Sequence, residues 1–578
     1  MIPQSRVTRL ASNFQRHSKF SRTVVLILGV LAGSAAAQAA PTTQSNDLAA
    51  IREYIRSSWD TLTRSMTRCD SVVDPKLAAP SVLYLPADYP APPSVNKLQH
   101  DCKVDVKHLP AVIHRPGELD PQTISPPGLL FLENSYVVPG GRFNEMYGWD
   151  SYFIVLGLLQ DGRTELARGM VENFFFEIAH YGTVLNANRT YFLSRSQPPF
   201  LTSMIFAVYD AEKKAGHEDR RWLEKAYGYA SSDYQMWNRD PHLAGTTGLS
   251  RYFDFGQGPV AEGLQDEAGV YRTAATYFLT HPETANGELT ETKPGDPSPD
   301  AIGFPFTLQL CEKTPTDTKC DPFKTLSLTR DFYKGDRSMR ESGFDVSFRF
   351  GPYGGRTHHY AAVCLNSLLY KTEKDLERMS TLLGKQQDAA QWRQRAETRK
   401  DRLNKYLWDG MRGQFFDYNF DQQNRSAYEY ITTFYPLWAG LATPEQARAV
   451  EKNLPVFEQP GGLLMSHTET GGQWDYPYGW APTTLLAIEG LRQYGFTDDA
   501  NRLSFKFLSM ILENFKRDGT IREKYNVVTR SSETHVTAGY HVNIVGFGWT
   551  NAAFLELLSK LPPQWSSRLA SGETTPPQ

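Results

Sequence analysis

The sequence predicts an all-α body built from helix pairs, and three observations predict it. Apolar residues recur at helical spacing through long segments. No run of alternating residues bounded by hairpin turns competes with them. Stretches dense in aromatic, Arg, Asn and carboxylate residues stand directly before apolar helical segments, at five separate places.

The helical stripes follow in chain order. Leu166, Met170, Val171, Phe174 and Ile178 fall on one face of a helix. Ala361, Cys364, Leu365, Leu368 and Leu369 repeat the pattern. From Gln386 to Leu407, Ala389, Trp392, Ala396 and Leu403 turn inward while charges turn outward. Leu503, Phe507, Ile511 and Phe515 form a fourth stripe. Ahead of them, the Pro-rich stretch from Pro75 to Pro93 and a Pro-containing segment ending near Pro139 read as an extended N-terminal arm. The residues after Pro562, rich in Pro, Ser and Thr, read as a disordered tail.

The five aromatic stretches are PGGRFNEMYGWDSY (139–152), NANRTYFLSRSQPPF (186–200), RESGFDVSFRF (340–350), GGQWDYPYGWAP (471–482) and GFGWTNAAF (546–554). Helices entered in the same sense and packed in a ring bring such loops to one end, where they line one pocket. Of 578 residues, 12% are aromatic, which suits stacking on sugar rings as well as a large core. A net charge of -3 argues against nucleic acid or an anionic membrane as the main partner.

The first residues carry Arg6, Arg9, Arg16, Lys19 and Arg22 without an acidic residue. An apolar run from Val24 to Gly33 and the small residues around Ala37 and Ala39 follow. The pattern reads as a secretory signal over residues 1–39, too short in its apolar part to span a bilayer. The expectation is an exported protein, periplasmic or secreted, with no stable membrane insertion. Five cysteines then permit two disulfides, Cys69 with Cys102 and Cys311 with Cys320, leaving Cys364 as a core thiol.

Hydrolysis of a bond between two sugars needs an acid for the departing oxygen and, with inversion, a base for water on the opposite face. Asp345, between Phe344 and Phe348, sits where desolvation keeps a proton on a carboxyl. Glu523, between Arg522 and Lys524, sits where positive charge favours the ionised base. Arg142, Arg189, Arg195, Asn186, Asn188 and Gln197 offer hydrogen bonds to hydroxyls, and Trp149, Trp474 and Trp480 offer stacking faces. The G-x-S-x-G elbow, H-E-x-x-H, P-loop and dinucleotide fingerprint do not occur, and no calcium loop is visible. The pair His358 and His359 reads as loop structure rather than a metal site, so no metal or cofactor is expected.

At these segments the sequence resembles the trehalases, inverting glycoside hydrolases with an (α/α)6 barrel. PGGRFNEMYGWDSY is similar to the first signature of that family and QWDYPYGWAP to the second, and the likeness runs over roughly residues 130 to 558. RSMRESGFD and LNSLLYK resemble the neutral-trehalase branch. The resemblance implies an (α/α)6 toroid, with the arm (40–130) packing on a catalytic domain (131–560) and a tail (561–578). It implies cleavage of α,α-trehalose to two glucose molecules, with Asp345 as general acid and Glu523 as general base. It further implies sugar contacts from Arg142, Trp149, Asp150, Asn186, Arg195, Ser196, Gln197, Glu262 and Gly343, with Trp474 walling the pocket. A small disaccharide and a monomeric protein are the expected partner and state. Three positions depart from the family pattern: Val260 where an Arg is common, Asn526 where an Asp is usual, and Gly539-Tyr540 where an acidic residue is common. They leave open a trehalose-binding or sensory protein with weak turnover, or a hydrolase of another α-glucoside.

Overall fold

The computed structural model describes residues 47–74, 80–260, 262, 267–292, 301–313, 318–539 and 541–577. The segment expected as a secretory signal lies outside them. Residues from Asn46 onward form one compact unit.

Helices come in pairs, as the apolar stripes require. α1 (Asp47–Leu62) leads, followed by the short α2 (Cys69–Val72) and α3 (Pro93–Cys102). Then come α4 (Gly148–Gln160), α5 (Thr164–Tyr181), α6 (Leu201–Lys214), α7 (Arg220–Trp237), α8 (Glu267–Thr280) and α9 (Arg330–Glu341). The longest helices are α10 (Val363–Leu383), α11 (Gln386–Tyr406) and α15 (Thr497–Asp518). Between these last two lie α12 (Tyr435–Trp438), α13 (Pro444–Lys452) and α14 (Ala481–Gln493). α16 (Gly548–Lys560) and α17 (Pro563–Ala570) close the chain.

Six of these helices form a closed ring. α4 packs on α6, α6 on α10, α10 on α12, α12 on α14, α14 on α16, and α16 returns to α4. Partners cover the outside: α5 lies against α4 and α6, α7 against α10, α11 along α10, and α15 against α14 and α16. α1 packs outside α15 and α16, so the N-terminal arm supplies a helix to the outer layer. This is the all-α toroid expected. The inner helices are apolar almost all round, as burial on every side demands: α4 buries ten residues from Gly148 to Leu158. The outer ones keep one apolar stripe; α11 buries Ala389, Trp392, Ala396 and Leu403, with Arg399 buried beside them on Glu373 at 2.8 Å, and turns most of its other charges outward.

Local chemistry fixes the helix ends. α13 begins with a capping box in which Thr443 and Gln446 satisfy each other's backbone N–H groups. Thr329 caps α9 by accepting from the Phe332 N–H. α5 stops at Gly182, whose φ of 86° suits glycine and starts the second aromatic loop.

Two features depart from the reading above. A three-stranded antiparallel sheet joins Leu289–Glu291, Lys324–Thr329 and Ala301–Leu308, and shares a second core with α8 and α9 built on Tyr271, Phe278, Leu328 and Phe332. Its strands are short and irregularly patterned, so helical periodicity elsewhere outweighed them. The tail, expected to be disordered, contains α17, whose Leu569 is buried. Both disulfides are present, Cys69–Cys102 and Cys311–Cys320, the second linking residues paired across two strands. Cys364 is free and buried. Among the described residues no helix is long and apolar enough to cross a membrane.

Candidate active site

The five aromatic stretches precede or begin α4, α6, α10, α14 and α16, all inner-ring helices, and every one of them lines a single cavity of about 680 Å³. Its walls include Arg142, Trp149, Asp150, Asn186, Arg195, Gln197, Glu262, Gly343, Asp345, Trp474 and Glu523. All the expected site residues but Ser196 therefore converge. Ser196 is turned away: its hydroxyl donates to the Val184 carbonyl at 2.6 Å and its N–H to Glu341. These two bonds tie the loop to Val184 and to the end of α9.

One wall is aromatic. Trp474 stacks on Trp480 at 3.7 Å between centroids and 8° between planes, and Trp149 and Trp549 meet this pair edge-on or tilted. Gly343 is required here. Its φ of 77° suits glycine, and a Cβ would lie 2.9 Å from the Trp149 indole.

The opposite wall is charged. Glu262 bonds Arg195 through one oxygen and Arg340 NH1 through the other at 2.9 Å. Burial works to raise the Glu262 carboxyl, but the two guanidiniums outweigh it and hold it below its ordinary value. Arg195 also donates to Asn186 Oδ1 at 3.1 Å and faces Asp254, while Gln197 Oε1 accepts from the Trp149 N–H at 2.9 Å. These contacts lock the second loop to the start of α4.

Besides Glu262, the carboxyls of Asp150, Asp345 and Glu523 line the cavity. Asp150 is pushed well above its ordinary value by burial first, then by the charges of Glu523 and Asp345. Like charges this close do not all ionise together, so the group favours holding a proton among its carboxyls. Asp345 is half-buried, between the buried Phe344 and Val346 in sequence. Glu523 is 6% exposed, and its Oε2 lies 3.5 Å from Lys524 Nζ.

The expectation for Glu523 needs correction. Its charged neighbours were read as favouring the ionised form, but burial raises it overall, against the pull of Lys524 and Arg142. Arg522 contributes little because its guanidinium turns to the Asn543 carbonyl at 3.1 Å. A raised carboxylate is also a stronger base.

Residues not singled out earlier join the site. Arg340 lies five places before Asp345 in a segment already marked by its aromatics, and reaches Glu262 from the last turn of α9. It places a guanidinium on Glu262 where Val260 offers none. Gln473 spans the floor, its amide nitrogen donating to the Asp345 carbonyl and its oxygen accepting from Lys524 Nζ at 2.9 Å. The only signal for either was its place in an aromatic stretch. Asn526 is spent on a turn, accepting from the N–H groups of Val528 and Thr529. Gly539 packs on Gln473, where a Cβ would come within 2.8 Å of its amide carbon. Tyr540 lies outside the described residues.

The family model described as Trehalase matches residues 34–267 and 314–562. The chain belongs to the trehalase family. It is 37% identical over 559 residues to a protein of Eremothecium gossypii named probable trehalase, covering 86% of this chain and 70% of that one. It is 36% identical over 581 residues to the cytosolic neutral trehalase of Saccharomyces cerevisiae, covering 90% and 72%. The solved structure of neutral trehalase Nth1 from Saccharomyces cerevisiae superimposes with a TM-score of 0.74 at 33% identity, over 92% of this chain and 96% of that one. The affinity is with the neutral branch of the trehalases.

These relatives overturn one expectation. Similar proteins from Saccharomyces cerevisiae, Kluyveromyces lactis, Emericella nidulans and Neurospora crassa are named cytosolic, which contradicts an exported, periplasmic or secreted trehalase with a signal peptide. A basic, apolar, then small-residue pattern is a local composition and carries nothing of the body of the chain, where the likeness lies.

Proposed function

We propose that this trehalase-family protein hydrolyses α,α-trehalose to two glucose molecules by inverting general acid and base catalysis, as a monomer. The observation that carries the reading is the meeting of Asp345 and Glu523, from different loops, in one cavity that Asp150 also lines. A volume of about 680 Å³ falls in the range that encloses a small ligand. The relatives' names carry the word cytosolic, and the reading follows them in placing the hydrolysis inside the cell.

In this mechanism Asp345 protonates the glycosidic oxygen while Glu523 takes a proton from water on the other face of the ring. The water oxygen bonds to the anomeric carbon as the glycosidic bond breaks, giving one β-glucose and one α-glucose. Asp150, at the start of α4, hydrogen-bonds sugar hydroxyls. Arg142, Asn186, Arg195, Gln197 and Glu262 bind the remaining hydroxyls, and Trp149 and Trp474 pack on the ring faces. Gly343 leaves the room that the Trp149 face needs.

Glucose release by the purified chain, compared among trehalose, maltose, kojibiose and nigerose, tests the reading. Release from trehalose well above the other three is expected. Binding without release, or preference for another disaccharide, contradicts it.

A further inference from the structure

The fold brings a carboxylate to the two adjacent histidines that the sequence alone leaves as loop structure. His358 and His359 lie on the 3-10 turn Thr357–His359, and Asp331 lies in the first turn of α9. His358 Nε2 is 2.9 Å from Asp331 Oδ1, and His359 Nε2 is 3.3 Å from Asp331 Oδ2. One ligand-capable atom from each of the three residues lies within 4.8 Å of the other two. His358 is buried, while the Asp331 side chain is half open to solvent, so the cluster has a floor and an entrance.

Counting protons sharpens this. On its far side His359 Nδ1 hydrogen-bonds the Asp421 carboxylate, and a carboxylate only accepts, so Nδ1 carries the hydrogen. In a neutral ring Nε2 is then a lone pair facing Asp331 Oδ2, acceptor against acceptor. A cation between the two atoms resolves that conflict. His358 Nε2 donates to Asp331 Oδ1 in the metal-free cluster, and a bound ion takes the place of that hydrogen.

The spacing suits a metal ion. Bonds of about 2.0–2.1 Å in tetrahedral geometry put ligand atoms about 3.3 Å apart; each imidazole Nε2 here lies 2.9 or 3.3 Å from an oxygen of the shared carboxylate, and one atom from each residue falls within 4.8 Å of the other two. Two imidazoles with one carboxylate favour borderline transition ions over calcium or magnesium, which take oxygen sets. Asp421 behind His359 is the outer carboxylate that orients a ligating ring.

We propose that Asp331, His358 and His359 bind one divalent transition-metal ion of the zinc type, with solvent completing the coordination. The ion ties the start of α9 to the 357–359 turn. Because α9 runs from Asp331 to the loop of Gly343 and Asp345, the ion is a structural clamp on the element that presents the acid, outside the sugar cavity.

The test uses the full chain, stripped with a chelator and titrated with Zn²⁺ by calorimetry at about pH 8, above the imidazole range. Co²⁺ serves as a second probe, read by its visible ligand-field absorption. One equivalent of Zn²⁺ is expected to bind. Asp331→Asn and His359→Gln should each weaken it at least tenfold, and Asp421→Asn by about 10–100-fold. Metal-free thermal unfolding identifies variants that fold normally. No saturable equivalent in the wild-type chain, or affinity unchanged in folded Asp331→Asn and His359→Gln, overturns the proposal.

Discussion

Gln473 accepts a hydrogen bond from Lys524 Nζ at 2.9 Å, and the same side chain donates to the Asp345 backbone carbonyl. One amide thus joins the loop of the proposed acid to the cation beside the proposed base. The Gln473 backbone carbonyl accepts from the Trp480 indole N–H at 2.8 Å. Gln473→Ala should lower kcat by about 10–100-fold, since small misplacements of reacting groups cost that much. KM should change little, because Gln473 acts by positioning. Steady-state kinetics check this, and a change confined to KM would contradict it.

Asp345→Asn and Glu523→Gln should each lower kcat by about 10²–10⁴-fold while leaving thermal unfolding near that of the parent. Asp150→Asn should cost less than either, because an amide still hydrogen-bonds sugar hydroxyls. Equal losses in all three would mean that Asp150 does more than bind hydroxyls.

Glu523 is raised by burial, so the acid limb of kcat/KM should lie above the ordinary glutamate value of 4.5. The sign is fixed by the base role: activity needs the ionised form and falls as pH drops through the raised value. Lys524→Met removes a charge that opposes burial, so the limb should move further up. A downward move, read in pH profiles of both enzymes, contradicts the assignment.

Arg340→Gln removes one of two guanidiniums on Glu262 and its ion pair with Asp336. Losing a charged hydrogen bond costs about 1.5–3 kcal/mol, so kcat/KM should fall by roughly ten- to a hundred-fold. Kinetics at several trehalose concentrations measure it.

Gly343→Ala places a methyl 2.9 Å from the Trp149 indole at a φ of 77°. Strain of about 1–3 kcal/mol is expected, with a lower Tm and a higher KM as the indole shifts. An unchanged KM would show that the Trp149 face is not used.

Much of this was legible in the sequence because inner helices and their loops carry strong local signals. The stripe of Ala389, Trp392, Ala396 and Leu403 gave α11 nearly to its ends, and the aromatic stretches marked the cavity wall. What was hidden depends on contacts across the chain. Whether burial or Lys524 prevails at Glu523 is decided by packing, not by neighbours in sequence. That Ser196 faces Val184 while Gln197 faces the cavity is a matter of loop rotation. Asp331 joins His358 and His359 only once α9 is folded.

The central claim, a carboxyl acid and base acting from opposite faces of one sugar, is tested most directly by proton NMR of the first products. Fresh enzyme and trehalose should yield α- and β-glucose in equal amounts before mutarotation. Two α anomers per trehalose would contradict inversion and with it the roles given to Asp345 and Glu523.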